Sequence, residues 1–173
     1  MKFVDRHSSI VLGKTWLDEI VSAGGVFVTG TGTGVGKTIV MGAIGVKLQD
    51  RGIKVAAFKP FSAGGRVSGD GQWLKQALNL QDSLKIIAPI HYALPVAPMV
   101  AATLSRKPVP WARMKGAYRQ LKKKYDVVLV EGVGGVMVPV DRGVYAIDLI
   151  SMFRLPVLVV ASAGLGTINH TLL

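Results

Sequence analysis

Val26-Phe27-Val28-Thr29-Gly30-Thr31-Gly32-Thr33-Gly34-Val35-Gly36-Lys37-Thr38 decides the fold. A short apolar run ends at Thr29, a glycine-rich loop follows, and Lys37-Thr38 open an amphipathic segment. A strand, a loop and a helix in that order make a phosphate cradle. The glycines let backbone N–H groups turn toward an anion, and the helix beginning near Gly36 points its positive dipole end at the same spot. In such a loop Lys37 reaches the terminal phosphates of a nucleotide and the Thr38 hydroxyl is placed to ligate Mg²⁺. The spacing departs from the standard motif. Five residues, not four, separate Gly30 from Gly36, and Thr31 stands where the first glycine is usual.

Downstream, Thr38 to Gln49 reads as a helix buried through Ile39, Val40, Ala43, Ile44, Val46 and Leu48, ending near Gly52. Val55 to Phe58 is a second strand and runs into Lys59-Pro60-Phe61-Ser62-Ala63-Gly64-Gly65. Ligands of open α/β sheets bind beyond the carboxyl ends of the strands, so Lys59 falls on the same edge as the phosphate loop. Asp70 precedes a helix through Trp73, Leu74, Ala77 and Leu78, and two readings stand for it: N-cap or Mg²⁺ ligand. Five prolines between residues 84 and 111 limit helix there to a short stretch beginning at Pro98. Arg113 to Lys124 is a basic helix with Met114, Ala117 and Leu121 on its inner face. Between Asp126 and Glu131, Val127 to Val130 is a fully apolar strand running into an acid, the position that holds a carboxylate near Mg²⁺ in phosphate-loop enzymes. Gly132, Gly134 and Gly135 then allow close approach of backbone to a ligand. Ala146 to Phe153 is a helix, Leu155 to Ala161 a fourth strand, and Gly164 to Leu173 the start of another helix.

The composition agrees with one α/β domain: 173 residues, half of them hydrophobic, with 21 glycines. The absence of cysteine excludes disulfides, thiolate metal sites and a cysteine nucleophile. His7, His91 and His170 lack metal-ligand spacing. No apolar run is long enough to cross a bilayer, and no signal peptide is read at the N-terminus, so a cytoplasmic protein is expected. The net charge of +11 is concentrated at Lys115, Arg119, Lys122, Lys123 and Lys124. Their helix has a regular apolar face, so they are read as a solvated surface rather than a nucleic-acid patch. Trp16, Trp73 and Trp111 are expected in the core or at an interface.

Four segments together resemble dethiobiotin synthetase, the ATP-dependent family that closes the ureido ring in biotin synthesis. They are Gly30 to Thr38, Lys59-Pro60, Glu131 to Pro139, and Leu155-Pro156-Val157 through Gly166 to Leu173. Ala97-Pro98 and Ala101-Ala102 add a weaker match. The resemblance implies a parallel sheet flanked by helices, of the P-loop NTPase type, over residues 26–173. Ahead of it Ile10, Trp16, Leu17, Ile20 and Val21 partly follow helical spacing and Gly24-Gly25 would end such a helix, so residues 1–25 are read as an N-terminal helical extension. The resemblance also implies ATP, 7,8-diaminopelargonic acid and CO₂ as substrates, Mg²⁺ as cofactor and a homodimer. It makes Lys37 and Lys59 catalytic. It gives the nucleotide to Gly30, Thr31, Gly32, Thr33, Gly34, Val35, Gly36, Lys37, Thr38, Glu131, Gly132, Gly134 and Gly135, with Asn169 on adenine. Thr38, Asp70 and Glu131 would hold the metal. Gly32 stands where the family usually has an acid, Ala63 where Ser or Thr is common, and Met99 where His is frequent. Lys59 and Asp70 are unusually close in sequence. The family also continues for several tens of residues beyond the segment ending at Leu173, so a C-terminally short domain is expected. Other readings are a non-catalytic or divergent nucleotide-binding protein, the ATP-using domain of a cobyrinate amidotransferase-like ligase, and a nucleic-acid-associated ATPase.

Overall fold

The computed structural model describes residues 15–172. Its elements run α1 (Trp16–Ala23), β1 (Gly25–Gly30), α2 (Lys37–Gln49), β2 (Val55–Phe58), β3 (Phe61–Ala63), α3 (Gly69–Ala77), α4 (Leu84–Ile87), β4 (Ile90–Tyr92), α5 (Pro98–Leu104), α6 (Trp111–Lys124), β5 (Val127–Glu131), β6 (Pro139–Asp141), β7 (Val144–Tyr145), α7 (Ala146–Phe153), β8 (Val157–Val160) and α8 (Thr167–Leu172). The main sheet has the order β2-β5-β1-β8, and each of its pairings is parallel.

The continuous apolar character of β1, β2 and β5 follows from burial on both faces. Val26, Val28, Val55, Ala57, Val127 and Leu129 pack on one side with Leu17 and Ile20 of α1, Met41, Ile44 and Leu48 of α2, and Leu74 of α3. The alternate residues Phe27, Ala56, Phe58, Val128 and Val130 pack on the other with Met114, Ala117 and Leu121 of α6 and Leu149 of α7. The result is three layers, helix on sheet on helix, as expected from the alternating strand and helix signals. β8 differs from the other three strands. It forms an edge, as β2 does, but its Val157 and Val159 are about half exposed where β2 is buried throughout.

Of the N-terminal extension, residues 1–14 lie outside the described residues, Ile10 among them. α1 is closed by Gly24 at φ +68°, whose N–H returns to the Val21 carbonyl at 3.0 Å.

Two expectations about burial fail. Ile39 and Val46 of α2 are exposed, as is Ala43. The inner face of this helix is instead Met41, Ile44 and Leu48 together with Gly42 and Gly45. At Gly42 a Cβ would lie 2.5 Å from the Trp73 ring, and at Gly45 one would lie 2.6 Å from Leu78. Absent side chains, which hydrophobic periodicity cannot register, therefore make the α2–α3 contact. Trp16 and Trp73 are likewise exposed rather than core residues. The N-cap of α3 is Ser68, whose hydroxyl accepts from Gly71 N at 3.0 Å. Asp70 sits in the first turn, so its N-cap reading is replaced. The pairs β3–β4 and β6–β7, each strand two or three residues long, are too short to have left a periodic signal.

Candidate active site

The loop between β1 and α2 turns at Gly34 and Gly36, with φ of +78° and +99°. Both values lie in the left-handed region that favours glycine. Gly32 does not, and a Cβ there would meet nothing within 4 Å. Lys37, in the first turn of α2, is buried, and its Nζ donates to the Gly32 carbonyl at 2.6 Å. Burial chiefly holds its ammonium below the usual lysine range. The nearby Lys59 charge adds to the depression, while Glu131 and Asp70 oppose it.

β5 lies between β2 and β1, and this order brings the carboxyl ends of all three strands together. Glu131 ends β5 and pairs in register with Val28. Its side chain is 1% exposed. Lys59 follows β2 directly, and its N–H donates to the Ile87 carbonyl at 2.7 Å. Lys59 Nζ lies 2.5 Å from Glu131 Oε1 and 3.0 Å from Asp70 Oδ2, and it donates to the Gly132 carbonyl at 3.3 Å. The Thr38 hydroxyl donates to the same Glu131 Oε1 at 3.0 Å. Glu131 Oε2 is buried without a hydrogen-bond partner. A buried carboxylate oxygen left unpaired is costly, so its lone pairs are poised for a donor or a cation.

The glycines after β5 fit against the phosphate loop. At Gly134 a Cβ would strike Val138 at 2.7 Å and approach Thr33 Oγ1 at 3.4 Å, and at Gly135 one would meet the Thr31 backbone at 3.7 Å. A cavity of about 690 Å³ opens between these segments. Thr33, Gly34, Gly36, Lys37 and Thr38 form one side, Lys59, Asp70 and Glu131 the charged part, and Ile39, Trp73, Pro95 and Val96 an apolar wall. Of the residues singled out in the sequence, Gly30, Thr31, Gly32 and Val35 shape the loop without lining this cavity, as do Gly132 and Gly135 behind it. Asn169 is exposed on α8 and does not line the cavity. α8 follows β8, whose Val160 carbonyl accepts from Thr31 N at 3.1 Å, so it stands on the strand beside the phosphate loop. Sequence reasoning missed Trp73 and the Pro95–Ala97 wall as cavity residues. The spacing of Asp70 and Trp73 by three on one helix would have put both on one face. Nothing local marked Pro95.

A family model described as an AAA domain matches residues 24–173. The chain is 42% identical over 152 residues to the ATP-dependent dethiobiotin synthetase BioD of Methanocaldococcus jannaschii, covering 86% of this chain and 70% of that one. The chain belongs to the dethiobiotin synthetase family. The dethiobiotin synthetases of Methanococcus vannielii and Thermodesulfovibrio yellowstonii are 38% and 42% identical to it, again over 86% of this chain and over 69% and 68% of theirs. Membership of this ATP-dependent family sets aside both the non-catalytic and the amidotransferase-like readings. Among the described residues no helix is long and apolar enough to cross a membrane.

Proposed function

We propose that this cavity performs ATP-dependent closure of the ureido ring of 7,8-diaminopelargonic acid with CO₂. One observation carries the reading. A single buried ammonium, Lys59 Nζ, contacts Glu131 and Asp70 inside the cavity that the phosphate-loop residues Lys37 and Thr38 also line. One amine of the substrate adds CO₂ and loses a proton to give a carbamate. A carbamate oxygen attacks the γ-phosphorus of ATP, and ADP leaves. The second amine attacks the carbamoyl carbon and loses a proton, and phosphate departs as the ring closes.

In this scheme the loop N–H groups of Thr33 to Gly36 hold the phosphates. Lys37 leaves the Gly32 carbonyl to neutralise the β/γ oxygens. Lys59 faces the carbamate and the transferred phosphoryl group, where negative charge develops. Phosphoryl transfer of this kind is accelerated by positioning and charge neutralisation more than by covalent chemistry. The apolar wall of Trp73, Pro95 and Val96 suits the aliphatic chain of the diamine. Adenine falls to Asn169, on the segment after β8. The nucleotide-binding unit is residues 26–173, with 1–25 an extension.

Thr38, Asp70 and Glu131 fit Mg²⁺, because they offer hard oxygen donors within one cavity and include the unpartnered Glu131 Oε2. When bound, the ion would screen the phosphate oxygens. A homodimer in the cytoplasm completes the reading. A coupled ADP-release assay tests it. Turnover should require both the diamine and bicarbonate, and nucleotide binding without diamine-dependent turnover would sink the proposal.

A further inference from the structure

β3 and β4 form a small parallel pair outside the main sheet, with Ser62 opposite His91. Ser62 is buried, and its Oγ lies 3.0 Å from His91 Nδ1. On the other side of the ring, His91 Nε2 lies 3.1 Å from the Gly65 carbonyl oxygen. A carbonyl only accepts, so Nε2 is the nitrogen that donates to Gly65. Ser62 Oγ shares a hydrogen bond with Nδ1 and also lies 3.4 Å from the Ile90 carbonyl oxygen.

This chain of two hydrogen bonds spans a soft place. Gly64 and Gly65 both have left-handed φ, +95° and +75°, and follow directly on Ala63, which lines the cavity. Gly64 N is tied to the Tyr92 carbonyl at 2.9 Å, and a Cβ on Gly64 would touch Pro95 at 3.6 Å. One segment thus leads from Lys59 through Ser62 to Ala63, and the other from His91 to Pro95 and Val96. They are the charged side and the apolar wall of one cavity, and His91 joins them.

We propose that His91 is a positioning residue for the diamine. By hydrogen-bonding Ser62 Oγ and donating to the Gly65 carbonyl, it fixes the Ala63–Gly65 loop against Pro95 and so sets the width of the substrate end of the cavity. It touches neither the phosphate loop nor the charged cluster. This inference rests on the ring-closing reading above for the identity of the substrate, but the clamp itself does not.

The test is steady-state kinetics of His91→Ala, His91→Gln and His91→Asn with diamine and ATP varied separately, together with amide hydrogen exchange and melting temperature. Loss of the clamp should raise KM for the diamine about tenfold, the order of one hydrogen bond, with KM for ATP within about twofold. His91→Gln, which retains an N–H donor for the Gly65 carbonyl, should recover most of the loss, and His91→Asn, too short to reach it, should not. An unchanged diamine KM in His91→Ala overturns the proposal. So does a parallel loss for both substrates that tracks the fall in melting temperature. Absence of diamine-dependent turnover in the wild type would instead refute the ring-closing reading. Exchange then decides the clamp: faster exchange at Gly64, whose N–H donates to the Tyr92 carbonyl, in His91→Ala, with Thr31 unchanged, supports it, and unchanged exchange at Gly64 removes it.

Discussion

Replacing Lys59 by Met should destabilise the protein and stop its chemistry, and a second substitution should separate the two effects. Lys59 and Glu131 are 5% and 1% exposed at the side chain, with N and O 2.5 Å apart. Removing one partner of a buried pair costs about 3–5 kcal/mol, because the other charge is left uncompensated. Glu131 faces a cavity that admits water, which places the expected loss near the lower end, ~3 kcal/mol. Asp70 contributes little to this sum, since its side chain is half exposed and its pairing with Lys59 is screened. For a domain of this size the loss corresponds to a fall of roughly 6–12 °C in Tm. Urea unfolding followed by circular dichroism gives the free energy directly. The double variant Lys59→Met, Glu131→Leu should recover most of it, because a buried ion pair exchanged for apolar groups is often neutral or better. Its ring-closing turnover should remain about 10²–10³-fold down or more, the scale of losing one preorganised charge in a transition state. Wild-type stability in Lys59→Met, or a double variant no more stable than the single, would refute the burial argument.

The depressed Lys37 ammonium has opposite consequences for folding and for binding. Because the fold disfavours its charged form, the penalty is present at neutral pH and is relieved as pH rises through the folded-state value toward the ordinary lysine value, while ATP affinity falls over that window; calorimetric titration across alkaline pH should show the affinity loss beginning below the usual lysine range, and Lys37→Met should remove that limb. Gly36→Ala forces a side chain into the left-handed region at about 1–2 kcal/mol and should weaken ATP binding about tenfold or more, whereas Gly32→Ala, with free space and ordinary φ, should bind within about twofold of wild type. Chelation of divalent cations should abolish diamine-dependent ADP release, and Glu131→Gln should raise the Mg²⁺ concentration needed to restore it, as read by titrating the metal back.

The helix and strand content of the main sheet was legible because its signals are local. β2 is where its four-residue apolar run placed it, and α7 matches its expected span. The errors cluster where a contact is made by something the pattern cannot count. The missing side chains of Gly42 and Gly45 turned α2 so that Ile39 and Val46 face outward. Asp70 was open between cap and ligand because both uses want a carboxylate near a helix start. Only the position of Ser68 one residue before the helix, with its hydroxyl on Gly71 N, removed the first use. Pro95 and Val96 sit in a proline-rich stretch without periodicity, and their place on the cavity wall follows from the β3–β4 pairing.

By itself the sequence determined the phosphate loop, because its strand, its turning glycines and its lysine all lie within the thirteen residues from Val26 to Thr38. The strand that carries the loop, the glycines that supply left-handed φ and the lysine that opens the helix are neighbours in the chain. Tertiary structure alone decided that Lys59 and Glu131, 72 residues apart, share one hydrogen bond, and that Asp70 reaches the same ammonium. It also decided that His91 stands opposite Ser62. The reason is the strand order. Parallel strands are joined by long crossovers, so their neighbours are chosen by packing across the whole sheet, and β5 took its place between β1 and β2 without any local signal that it would.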